Sequence, residues 1–233
     1  MFLIKKSFYI AIGEKIVNFI KHLAGVSELT FQTLVLIPAK PLSFKRVFEQ
    51  AKKIGVDSLP IVSLVSLFIG MIMALQTAYI MQKMSSEIYI ASIVAVSLTR
   101  ELGPVITALI VAGRSGAGIT AELGTMNVTE QVDALVTLGS NPVKYLVVPR
   151  FLSLTFMLPI LTLFADAIGI FGGYLIAVYR LSIRSSLYMN MTFQTLVYKD
   201  LFTGLIKTIF FGMIIALIAC YEGLNVQGGA EGV

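Results

Sequence analysis

One cysteine, Cys220, and one histidine, His22, are all that this sequence of 233 residues holds of either type. That scarcity excludes a disulfide framework and any Cys/His metal cluster. Both read as structural, Cys220 as a small apolar residue and His22 as a polar group at an interface. Charge is scarce too. Charged residues make up 13% of the chain, where a soluble domain of this length needs about 25% to cover its surface. Hydrophobic residues reach 57%, the mean hydropathy is +0.87, and the net charge of +5 is too thinly spread to be a nucleic-acid signal.

The few charges are clustered. No charge falls between Asp57 and Lys83, and the windows Glu87–Arg114, Arg150–Arg180 and Asp200–Glu222 enclose only Arg100, Glu101, Asp166 and Lys207. Each window exceeds the roughly 20 residues that cross a ~30 Å hydrocarbon core. Four spanning helices follow, at 56–84, 88–119, 145–180 and 198–222. Nine lysines and arginines lie in the first 53 residues, against Lys83 alone in the loop after the first span. By the positive-inside rule the N-terminus is expected in the cytoplasm. The later loop carries Arg180, Arg184 and Lys199, which weaken that bias without reversing it.

Residues 1–39 do not read as a span. In IGEKIVNFIKHL, Ile12, Ile16, Phe19, Ile20 and Leu23 recur at helical spacing opposite Lys15, Asn18, Lys21 and His22. This is the pattern of an amphipathic helix lying in the membrane interface. A cleaved signal peptide fits less well, because Glu14 and Lys15 interrupt the apolar stretch. A charged elbow, 40–55, leads into the first span. Small residues four apart, Gly113-Ala117-Ala121 and Ala165-Gly169-Gly173, predict close helix packing in lipid.

Between the second and third spans, NVTEQVDALVTLGSNP predicts a short helix over 127–139. Asn127 and Glu130 suit a capping box, and Gly139 with Pro142 ends it. Val128, Val132, Leu135 and Val136 form its apolar face; Glu130, Asp133 and Thr137 form the other. A lipid-resting helix normally shows lysines, so the acidic face suggests either a solvated surface or docking to a cytoplasmic partner.

The four charges inside the spans sum to zero. A charge at the bilayer centre costs a few kcal/mol even on lenient scales. Arg100, Glu101, Asp166 and Lys207 therefore read either as a structural ion-pair network or as a polar patch in a cavity. Arg100 and Glu101 point about 100° apart on a helix, and Arg100 is expected to pair with Asp166. Pro104, in LTRELGP, removes a backbone hydrogen bond one turn back, which the membrane tolerates only where protein or water takes its place.

Enzyme chemistry finds little support. GRSG, Gly113 to Gly116, matches the G-x-S-G of rhomboid-type intramembrane serine proteases, but Ser115 needs a base and His22 is the one histidine. GRSGAG lacks the G-K-[ST] of a phosphate loop. DALVTLG has the D/E-A-x-x-x-x-G spacing of the docking loop in ordinary ABC importers, leaving an EAA-type permease for a small polar solute as an alternative.

The segment LTRELGPVITALIVAGRSGAGITAELGTMNVTEQVDALVTLGSNPVKYLVVPRF closely resembles the signature of the MlaE/YrbE permeases, which work with MCE-domain proteins. The resemblance continues through FIGMIMALQ, GIFGGYL, LIKTIFFG and GGAEGV, so 1–233 reads as a single permease domain. It implies an all-α polytopic membrane protein and a homodimer served by a cytoplasmic ATPase, which holds the ATP and Mg, and by a periplasmic MCE protein. The transported molecule would be phospholipid or another hydrophobic compound, and the chain itself would bind no cofactor, metal or nucleic acid. The implied location is the cell inner membrane, or the plastid inner envelope. Glu130, Gln131, Asp133, Ala134 and Leu135 would couple to the ATPase. Met73, Ile80, Met81, Met84, Arg100, Glu101 and Leu102 would line the lipid cavity, the flexible methionines suiting varied acyl chains. Family members continue past GGAEGV into a Thr-rich loop and a fifth span.

Overall fold

The computed structural model describes residues 2–38, 44–226 and 228–233, with side chains described from residue 13 onward. The described residues form helices and no strand. In our numbering α1 is Phe2–Leu36, α2 Phe44–Lys83, α3 Glu87–Val128, α4 Gln131–Thr137, α5 Val143–Tyr179, α6 Ser185–Thr195, α7 Tyr198–Leu224 and α8 Gly229–Gly232. Four of them, α2, α3, α5 and α7, are long and apolar enough to cross a membrane. The chain is thus a multi-pass all-α membrane protein. The expected elbow has no break at the first span, since α2 runs unbroken from Phe44; its residues 40–43 lie outside the described part.

The chain divides into two compact units, 44–118 with 149–216, and 1–43 with 119–148 and 217–233. In the first unit, helices meet backbone to backbone. A Cβ on Gly70 of α2 would strike the carbonyl of Gly169 on α5, and one on Gly172 would strike the carbonyl of Leu67. Dispersion contacts, which need close approach, replace the hydrophobic effect between helices in lipid, so small residues gather here. Ala165 is buried beside them. The stripe Ala165-Gly169-Gly173 therefore packs as expected. The other does not: Gly113, Ala117 and Ala121 are exposed on this chain, and nothing lies within 4 Å of a Cβ at Gly113. A small-residue spacing marks a face that permits close approach, and among the described residues no element takes it up.

Further along the same unit, Ala74 and Ala78 of α2 bury with Ile90, Val94 and Leu98 of α3 in one apolar cluster. Among the described residues two π-helical turns interrupt α3, at Leu98–Leu102 and Ala112–Gly116, and a third opens α5 at Val143–Val147. Such wide turns often mark functional positions.

In the second unit α1 is one long helix. Ile16, Phe19, Ile20 and Leu23 stay exposed along it, while Leu29 and Thr33 are buried. The side chain of Ile12 lies outside the described residues. His22 is not merely interfacial: its Nε2 lies 3.2 Å from Glu222 on α7, and its ring meets Tyr221 edge-on.

The helix at NVTEQVDALVTLGSNP departs from expectation at its start. Asn127 caps nothing. It continues α3, and its Nδ2 donates to the Val226 carbonyl. Glu130 takes a left-handed conformation (φ 58°) just before α4, which shortens that helix to seven residues. The capping-box spacing was satisfied in sequence, but α3 extends through Val128 and uses those residues first. The end behaves as expected. Gly139 at φ 72° lets its own N–H bond to Val136 and that of Ser140 bond to Leu135, the paired closure of a Schellman motif.

The glycine contrast makes a test. Gly70→Ala forces a methyl into the Gly169 backbone and should destabilise the purified protein by about 1–3 kcal/mol. Gly113→Ala, with open space, should not lower the melting temperature in detergent. Equal losses would mean that the α2–α5 approach is not the tight one.

Candidate functional site

LTRELGP opens with the π-helical turn Leu98–Leu102 in the middle of α3. Pro104 has no N–H to offer the carbonyl of Arg100, four residues back. Lys207 on α7 supplies the missing donor: its Nζ donates to the Arg100 carbonyl at 2.9 Å and to Glu101 Oε2 at 2.6 Å. One ammonium thus satisfies an orphan backbone oxygen and neutralises a carboxylate. The approach is possible because Gly204, one turn before Lys207, lies against the carbonyl of Thr99.

Arg100 turns to the other side and pairs with Asp200, Nε to Oδ1 at 3.5 Å. It does not reach Asp166. Asp200 was missed because it sits at the edge of the apolar window, where it reads as a boundary charge. Its spacing gave a usable signal, since residues 200 and 207 stand two turns apart on one face of α7. The adjacent Arg100 and Glu101 therefore do address one helix, at points about 10 Å apart along it. Arg100, Glu101, Asp200 and Lys207 close a neutral group, and Asp166 is left out.

Asp166 on α5 is 5% exposed, and its Oδ1 has no hydrogen-bond partner among the described residues. A Cβ on Gly103 would collide with that oxygen, so only glycine leaves room for it. Asp166 lines a cavity of about 580 Å³ bounded by α3, α5, α6 and α7. The walls are Leu163, Ala167, Ile170, Phe171, Tyr174, Met189, Phe193, Leu196 and Leu201, with Thr99 and Thr192 the further polar members. Thr99 and Thr192 are buried, and Thr192 Oγ1 is also unpartnered. Behind the wall Tyr188 is fully buried against Tyr174, and burial pushes its phenol up to about 12.

The residues that the resemblance assigns to a lipid path lie on or just after α2 and on α3. Met73, Met81 and Leu102 are half-buried against the Ala74–Leu98 cluster. Ile80 and Met84 are exposed, as are Arg100 and Glu101. None of the seven borders the 580 Å³ cavity. Within this chain α2 and α3 pack directly against one another there.

Ser115 has no base beside it among the described residues. Its Oγ lies 3.2 Å from Ser58 Oγ, which also accepts from Arg114 Nη1 at 3.1 Å, and Arg114 lies 3.8 Å from Asp57. This cluster pins the π-helical turn of GRSG to α2. The hydroxyl is used in packing, with no acid–base partner of the kind nucleophilic catalysis needs. In the second unit α4 presents Glu130, Gln131, Asp133 and Ala134 to the outside, with Leu135 half-buried.

Comparison with known proteins decides the family. The profile described as Permease MlaE matches residues 47–233. The chain belongs to the MlaE permease family. A probable ABC transporter permease protein of Rickettsia conorii is 44% identical over 223 residues, 96% of this chain and 86% of the relative. One from Synechocystis is 38% identical over 213 residues, 91% of this chain and 81% of the relative. The intermembrane phospholipid transport system permease protein MlaE of Haemophilus influenzae is 34% identical over 228 residues, 97% of this chain and 87% of the relative. In this member of the MlaE family, the LTREL turn is held by α7.

Lys207→Met should therefore cost more than Glu101→Gln. The first strands both a carbonyl and a carboxylate, about 1–3 kcal/mol, while the second loses one half-exposed ion pair, about 0–1 kcal/mol. Thermal melts of the purified variants check this, and equal shifts would show that the carbonyl contact contributes nothing.

Proposed function

We infer that this chain is the membrane-embedded permease subunit of an ABC transporter that moves phospholipid or a related hydrophobic molecule between membranes. The carrying observation is the family match over residues 47–233, together with the phospholipid transport named for the Haemophilus influenzae relative. ATP hydrolysis falls to a separate cytoplasmic ATPase, and an MCE-domain protein receives or delivers the lipid on the other side. The permease works as a homodimer in the inner membrane with its N-terminus in the cytoplasm, in keeping with the nine basic residues of its first 53.

The geometry supports specific roles. α4 is short, exposed and acidic on its outer side, held at one end by the Gly139 closure. In this reading Glu130, Gln131, Asp133, Ala134 and Leu135 seat in the ATPase and carry its motion to the spans. Arg100, Glu101 and Leu102, with Met73, Ile80, Met81 and Met84, form the wall of a lipid path completed by the second copy. The exposure of Ile80, Met84, Arg100 and Glu101 on a single chain supports that placement.

Purifying the permease with its cognate ATPase tests both halves. Mass spectrometry of the wild-type complex should find co-purified phospholipid. The double reversal Glu130→Lys, Asp133→Lys should still yield folded permease but lose the ATPase, because reversal replaces attraction by repulsion, whereas single exposed pairs are worth only about 0–1 kcal/mol. A complex free of lipid would contradict the transport reading, and normal ATPase recovery with the reversal would contradict the coupling role.

A further inference from the structure

The cavity that holds Asp166 is absorbed by none of the roles above. Its wall presents a buried carboxylate, two buried threonine hydroxyls and three aromatic rings, with no lysine, arginine or histidine among the described residues that line it. Asp166 has no hydrogen bond or ion pair from the described residues, and the charge balance of the neighbouring spans closes without it through Asp200. A carboxyl group buried without a counter-charge either keeps its proton or pairs with a cation, and the cavity beside the unpartnered Oδ1 gives a cation room to reach it.

The other polar groups favour one kind of cation. Thr99 Oγ1 already donates to the Ala95 carbonyl at 2.9 Å, so its lone pairs remain to accept. Thr192 Oγ1 has no partner among the described residues and accepts equally well. With the carboxylate, three acceptor groups line the cavity, the number an –NH₃⁺ group can serve. Phe171, Tyr174 and Phe193 add aromatic faces, which attract cations and receive hydrocarbon. The volume of about 580 Å³ falls within the roughly 300–1,000 Å³ of small-ligand pockets.

We propose that this cavity, bounded by α3, α5, α6 and α7, binds a primary amine carried on a single hydrocarbon chain. The ammonium sits on Asp166 with Thr192 and Thr99, and the chain runs along Phe171 and Phe193. A free long-chain amine and an ethanolamine-headed lipid share this chemistry. A bare anionic headgroup is repelled by the carboxylate, and a trimethylammonium headgroup lacks the N–H donors. The inference stands apart from the lipid path and from the ATPase, since it concerns one cavity of one chain.

The test uses the full chain in phosphatidylcholine nanodiscs and a dodecylamine probe with a diazirine at its chain end. Photolabel should map to peptides containing residues 163–174 and 189–201. Dodecylamine should compete at least tenfold better than dodecanol, and lysophosphatidylethanolamine at least tenfold better than lysophosphatidylcholine if the lipid is the source. Competition by the free amine alone supports the amine as the source. Asp166→Asn should reduce labelling of these peptides at least tenfold, and Ala167→Trp, which fills the cavity, should do the same with the carboxylate intact. Equal competition by dodecanol, or undiminished labelling of Asp166→Asn, overturns the proposal. If Asp166→Asn does not fold, the wild-type competition decides. No arm needs ATPase or transport, so failure here leaves the transport reading untouched, and failure of that reading leaves the labelling result standing.

Discussion

A proline in the middle of a membrane span leaves a carbonyl without its donor, and hydrocarbon has no water to replace it. In this protein that carbonyl belongs to Arg100, and Lys207 of α7 answers it. Much of the surrounding arrangement follows from this one contact. Gly204 must be glycine for α7 to come close to Thr99. Glu101 must lie near enough to neutralise the ammonium that has been brought in, and it does so at 2.6 Å. Asp200, two turns before Lys207 on the same face, then meets Arg100. The π-helical turn at Leu98–Leu102 widens the helix where these partners converge.

This closure has a consequence for Asp166. The four charges of the LTREL group balance among themselves, so the fifth is not a structural counter-ion. It lies in a separate apolar cavity, against a glycine that leaves it room. Charged groups inside a membrane either neutralise one another or serve a ligand. The two outcomes stand side by side here, one on each side of α3.

Much of the architecture was legible from the sequence. The four spans, the short loop helix and its end at Gly139 all follow from charge-free windows and cap chemistry. The start of that helix was not legible, because Asn127 and Glu130 satisfy a capping pattern that the longer α3 overrides. Of the two small-residue stripes, only Ala165-Gly169-Gly173 found a neighbour among the described residues; spacing reports which backbone can be approached, not which helix comes. The charge group was half legible. Pro104 announced an orphan carbonyl and Lys207 stood out as a charge in a span, but the sequence could not say that the two meet. Asp200 hid at a window edge, and the cavity around Asp166 is built from four helices whose lining residues share no motif.

The central claim, that Lys207 stands in for the N–H which Pro104 lacks, is tested most directly by a double-mutant cycle between the two. Pro104→Ala restores a backbone donor to the Arg100 carbonyl, so Lys207→Met in that background should lose its carbonyl penalty. The cycle, read from equilibrium unfolding in detergent, should give a coupling of about 0.5–3 kcal/mol, with the lysine substitution less costly beside alanine than beside proline. Additive effects would contradict the account and reduce Lys207 to a partner of Glu101 alone.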